Sequence, residues 1–187
     1  VRSARSPAFS ANGYIWYERD TLLEPARVSF WSFGARTTTN TGAYSRTIGK
    51  TYNNNTSPYI SYGLEINGDT TGQQNIQLAM TIAGAQFSLQ ANNSLPAATV
   101  PFQAGGSYDG ATCRVFVDGV QKNSVAKTGA ISYDTDSGGR LVIANSSSAA
   151  NNNPLTGDVF ATAVWDRALT PAEWRSLKAN PWQLLQG

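Results

Sequence analysis

The chain of 187 residues is 41 % hydrophobic and only 14 % charged, with a formal net charge of +2 and no histidine. That length lets one domain bury most of its apolar surface without metal or disulfide staples. The lack of any run of like charges, and of an apolar run near the ~20 residues that cross a bilayer, excludes nucleic acid and membrane as partners.

Residues 1–10 carry Arg2, Arg5 and Pro7 without periodicity and read as an N-terminal arm or linker, leaving 11–187 as one domain. Residues 14–17 are dense in strand formers, and 26–33 alternate Val28, Phe30 and Ser32 against Ser29, Trp31 and Phe33, a strand covered on both faces. Residues 36–58 are rich in Thr, Asn, Gly and Tyr, which predicts a strand pair with an exposed loop. Further strands are predicted over 59–66, 75–82 and 85–90. In the second, Ile76, Leu78, Met80 and Ile82 share one face and Asn75, Gln77, Ala79 and Thr81 the other, the pattern of a sheet with one dry side. Gly84 marks a tight hairpin.

Residues 91–110 hold two prolines and three glycines and read as a crossover between sheets. Next, Cys113, Val115 and Val117 oppose Thr112, Arg114, Phe116 and Asp118, and Asp118-Gly119 supplies the turn chemistry of a short hairpin. Strands at 121–126 and 140–144 flank the Asp134-Thr-Asp-Ser-Gly-Gly139 turn, and a polar loop covers 146–154. Thr170-Pro-Ala-Glu173 is a capping box with proline at the first helical position. It predicts a helix of about two turns that stops at Asn180-Pro181 and packs through Trp174 and Leu177. Many short strands with one terminal helix predict an all-β, antiparallel two-sheet sandwich.

Two stretches carry a family likeness: Arg114-Val-Phe-Val-Asp-Gly-Val120, and Leu155-Thr-Gly-Asp-Val-Phe-Ala-Thr-Ala-Val-Trp-Asp-Arg-Ala-Leu-Thr-Pro-Ala-Glu-Trp174. Together they resemble the concanavalin A-like jelly-roll superfamily in its laminin-G-like branch, where a strand ending in V-D-G precedes G-x-I-D-x-V-x-I-Y-N-R-A-L-S. Trp31 in an early strand is a second point of resemblance. The stretch from Leu169 to Leu185 is similar to the tails of laminin-G-like domains encoded in phages and prophages. The resemblance sharpens the sandwich to a jelly roll and implies a glycan-recognition module, extracellular or displayed on a virion surface. It also implies a structural alternative, a head-decoration or tail-fibre domain touching virion subunits or further copies of itself. One departure is that the acid of I-D-x-V is replaced by Phe160.

Without histidine, and with Cys113 as the single cysteine, a Ser-His-Asp triad, a His-ligated zinc site and a Cys-rich cluster are excluded. The jelly-roll hydrolases implied by the resemblance use carboxylates about 5 Å apart on one face, from E-x-D-x-x-E or E-x-D-x-E. The nearest stretch, Glu18-Arg-Asp-Thr-Leu-Leu-Glu24, has one residue too many and runs into Pro25, so the chain reads as non-catalytic. No cofactor is required. Calcium is the ion the resemblance allows, with Asp134 and Asp136 offering carboxylates from one turn. Sugars are held by aromatic faces beside amides and hydroxyls. Tyr44, Tyr52, Asn53, Asn54 and Tyr59 offer that mixture for a polysaccharide or other glycan, and Asn145, Asn151, Asn152 and Asn153 a second set of amides.

Overall fold

A computed structural model describes residues 8–9, 15–17, 19–37, 44–52, 59–68, 74–134, 139–145 and 154–185. Twelve strands among them form two antiparallel sheets. The larger runs in the order β1 (Ala8–Phe9), β2 (Ile15–Tyr17), β11 (Leu141–Ile143), β4 (Tyr44–Thr51), β5 (Ile60–Gly68), β6 (Gln74–Ile82), β7 (Ala85–Ala91). The smaller runs β10 (Val120–Ala126), β9 (Thr112–Val117), β8 (Phe102–Tyr108), β3 (Val28–Arg36), β12 (Gly157–Trp165). Strands distant in sequence lie side by side, β11 between β2 and β4 and β3 between β8 and β12, so the chain crosses repeatedly between layers as in a jelly roll.

The dry face read in β6 is the floor of the core. Ile76, Leu78, Met80 and Ile82 are buried together with Leu64, Ile66 and Tyr62 of β5, against Phe30, Cys113, Val115 and Val117 of the smaller sheet. Burial pushes the Cys113 thiol up to about 12, so it behaves as a small hydrophobe. Two hairpins use paired positive φ angles, Ala83 (51°) with Gly84 (77°) and Asp118 (51°) with Gly119 (76°), which suit the twist of antiparallel strands.

The segment read as a crossover contains β8. Its Gly105-Gly106 pair resembles a loop in sequence, yet each glycine faces a different layer. A Cβ on Gly106 would stand 2.7 Å from Leu78 Cδ1 and from Phe30 Cζ, and one on Gly105 would stand 2.2 Å from the Trp174 ring. Packing against both faces, rather than turn geometry, accounts for the glycines.

Helix α1 (Pro171–Ala179) seals the outer face of the smaller sheet. Its capping box forms, with Glu173 N donating to Thr170 Oγ1 (3.3 Å) and Thr170 N to Glu173 Oε2 (2.7 Å). Arg167 and the Thr170 amide hold the Glu173 carboxyl down at about 2. Trp174 stacks on Phe116 with ring centroids 4.4 Å apart and is 1 % exposed. Gln103 links helix to sheet: its Oε1 accepts from Trp31 Nε1 (3.2 Å) and its Nε2 donates to Leu177 O (3.1 Å) at the unsatisfied end of the helix. Trp182 is more open than its apolar setting suggests, at 44 % exposure.

Trp174→Ala should cost about 3–5 kcal/mol of unfolding free energy, the usual result of removing a buried aromatic ring. Denaturant titration followed by fluorescence checks this, and Gly105→Ala should also destabilise because the ring has no room to retreat.

Candidate functional site

Opposite the core, the larger sheet presents a second face built from β4 to β7. Strand alternation alone would send Arg46, Ile48 and Lys50 to the same side. A bulge between Arg46 and Ile48 breaks that alternation: Arg46 pairs with Glu65, whereas Ile48 pairs with Leu64 of the core. The bulge therefore turns Arg46 outward. Its side chain lies over Gly49, where a Cβ would approach Arg46 Cδ to 2.7 Å.

The register then sets Arg46, Glu65, Gln77 and Gln90 in one row across four strands. Arg46 donates to Glu65 Oε1 from Nε (3.2 Å) and Nη2 (2.5 Å). Gln77 Nε2 donates to Glu65 Oε2 at 3.2 Å, and Gln90 Nε2 to Gln77 Oε1 at 2.9 Å. The adjacent row is Tyr44, Asn67 and Asn75. Exposure is graded: Tyr44, Gln86 and Ser88 are open and Gln90 half-buried, whereas Gln77, Glu65 and Arg46 are 5 to 7 % exposed. Burying an ion pair costs desolvation that its mutual attraction often does no more than repay. The pair lies on the face away from the core and is continued by two amides.

The structure separates the tyrosines grouped by sequence. Tyr44 begins β4 and Tyr52 follows its end, about 26 Å away at strand rise. Tyr44 joins the polar row. Tyr52 instead donates its backbone N–H to Tyr59 O (3.0 Å) at the opposite end, where Tyr59 is exposed and has φ 61°. Asn53, Asn54 and 151–153 lie outside the described residues, and Asn145 is buried. Arg46, Glu65 and Gln90 were not marked by the sequence; the polar side of β6, with Asn75 and Gln77, was the one legible sign of this face.

Asp134 is buried near a fixed cation, and Asp136 lies outside the described residues. Lys50 is 1 % exposed and reaches Gly139 O at 2.8 Å and Glu24 Oε1 at 3.5 Å, with the Asp134 charge also acting on it. Burial pushes the Lys50 ammonium down while Glu24 opposes that shift. Among the described residues no three acidic, histidine or cysteine side chains gather as a metal site. In the stretch considered for catalysis, Glu18 is outside the described residues, Asp20 Oδ1 caps Leu22 N (2.9 Å), and Glu24 is paired with Arg19 (2.9 Å) and Lys50. Among the described strands of the larger sheet, Glu65 is the one carboxylate.

The model of the laminin G family described as concanavalin A-like lectin/glucanases superfamily matches residues 21–173. The chain belongs to this superfamily. No curated protein sequence matches it. Among solved structures, the superfamily fold is shared with the CBM40 module of the Ruminococcus gnavus IT-sialidase bound to α2,3-sialyllactose. That likeness has 12 % identity and a TM-score of 0.66, over 84 % of this chain and 85 % of that one. It is shared also with a SAP-like pentraxin from Limulus polyphemus, at 14 % identity and TM-score 0.62, over 95 % and 78 % of the two chains. A leech intramolecular trans-sialidase contains the same fold within a longer chain, at 15 % identity and TM-score 0.67, over 84 % and 24 %.

Glu65→Ala leaves Arg46 buried without its partner and should destabilise by about 3 kcal/mol, whereas the Arg46→Met/Glu65→Leu double variant should recover most of that loss. Denaturant titration of the three proteins checks it; a double variant as unstable as the single one would make the pair a structural element.

Proposed function

We propose that the chain is a non-catalytic glycan-binding module whose site is the polar outer face of the larger sheet. The observation that carries this reading is the hydrogen-bonded row Arg46–Glu65–Gln77–Gln90, flanked by exposed Tyr44 beside Asn67 and Asn75. A ring face for C–H stacking next to paired donors and acceptors is what sugar hydroxyls require. Support also comes from the Ruminococcus gnavus module of the same fold, which holds sialyllactose. Buried Lys50 already sets a cation beside Glu24 and Asp134, and the reading takes the module to work without calcium. Display outside the cell or on a phage virion is supported by the resemblance of the C-terminal stretch, by the Arg-containing N-terminal arm and by the low-charge composition rich in Asn, Ser and Thr.

A glycan array should give binding that is lost in Tyr44→Ala and Gln77→Ala, retained in Tyr52→Ala and Tyr59→Ala, and unchanged by EDTA. Loss on chelation would restore the ion, and no binding to any glycan would remove the reading.

One observation favours a structural role as the second reading. On the outer face of the smaller sheet, Phe33 meets Phe160 and Trp182 edge-on at 5.1 and 5.5 Å, and Phe160 and Trp182 are each more than 40 % exposed. Exposed contiguous aromatic surface marks interaction sites. Homo-oligomers in sedimentation analysis that dissociate in Phe160→Ser would favour a subunit contact; a monomer at all concentrations would remove it.

A further inference from the structure

We infer that the polar face selects neutral glycans and rejects anionic ones, with Glu65 as the residue that sets this preference. The inference rests on the glycan-binding reading and deepens it.

Charge on the face decides the class. Of the outward side chains of β4 to β7 in the two polar rows, Arg46 and Glu65 alone are ionised, and they touch. Lys50 of the same strand points toward Gly139 and Glu24 instead. Arg140, just before β11, lies over the Trp16 ring at 5.5 Å, toward the opposite end of β4 from the polar rows. The row thus presents no net charge to an incoming ligand. Nε and Nη2 of Arg46 are both spent on Glu65 Oε1, while Glu65 Oε2 takes Gln77. A carboxylate or sulfate approaching the remaining N–H groups of Arg46 also comes within reach of the Glu65 carboxylate in a poorly solvated place, and like charges in that setting repel. A hydroxyl meets no such conflict. It can donate to a remaining Glu65 lone pair and accept from the second N–H of the Gln77 or Gln90 amide.

Geometry adds the ligand's extent. The row crosses three inter-strand steps, about 14 Å, and exposure rises from Glu65 outward to Gln90 and Ser88 at the β7 edge. That shape suits an oligosaccharide laid across the strands, one end at the buried pair and the other leaving over β7.

The experiment is a glycan array holding matched pairs, such as lactose with 3′-sialyllactose and unsulfated with sulfated chitin hexamers, read with the wild type and with Glu65→Gln. Neutral members should be bound at least tenfold more tightly than their anionic partners, with affinity nearly unchanged between 50 and 500 mM salt. Glu65→Gln, which keeps an acceptor oxygen but removes the charge, should narrow that preference or reverse it. Preference of the wild type for the sialylated or sulfated members, with affinity falling as salt rises, overturns the inference and leaves the glycan-binding reading standing. An array with no bound member at all overturns both. The wild-type comparison decides the matter even where Glu65→Gln folds poorly.

Discussion

Two neighbouring glycines in β8 fix the spacing of the molecule. Gly106 faces inward, where Phe30 and Leu78 occupy the space a side chain would fill; Gly105 faces outward, where the Trp174 ring lies against bare backbone. The first sets how closely the layers approach, and the second sets how closely the helix docks. Interiors are packed to crystal-like density, so neither approach can be relaxed without loss of contact. Gln103, two residues earlier, then holds the docked helix by its carbonyl end. One strand therefore holds three layers in register, which leaves the outer face of the larger sheet uncovered by the helix.

On that face the physical question is why a buried ion pair stands where an apolar pair is often nearly as stable. Desolvation makes Arg46–Glu65 a poor source of stability, and the amides of Gln77 and Gln90 extend it instead of insulating it. A preorganised chain of donors and acceptors reduces the ordering cost a hydroxyl-rich ligand would otherwise impose. At the other end of β4, Lys50 plays a purely architectural part, its ammonium held by a carbonyl and a carboxylate. The same strand thus carries two buried cations facing opposite ways, Arg46 outward against Glu65 and Lys50 toward Gly139 and Glu24.

The fold was largely legible because local signals agree. The period-two pattern of β6, the paired turn residues at 118–119 and the capping box at 170–173 each state their structure independently. β8 was not legible because its glycines answer to partners far away in sequence, Trp174 and Phe30. The site was legible in part. Tyr44 could be marked by type, but grouping it with Tyr52 and Tyr59 assumed that closeness in sequence means closeness in space, and a strand runs between them. Arg46 escaped notice for a different reason: strict alternation assigns it to the core side with Ile48, and a bulge leaves no mark in composition. Glu65 then had no visible partner.

The bulge at Thr47 has an evolutionary corollary. Deleting or inserting one residue in β4 would exchange what faces the interior for what faces outward, so the chemistry offered to a ligand is governed by strand length as well as by residue identity. A fold shared at 12 % sequence identity therefore leaves room for its outward-facing chemistry to change through slippage of a single codon, a route that substitution counts do not register.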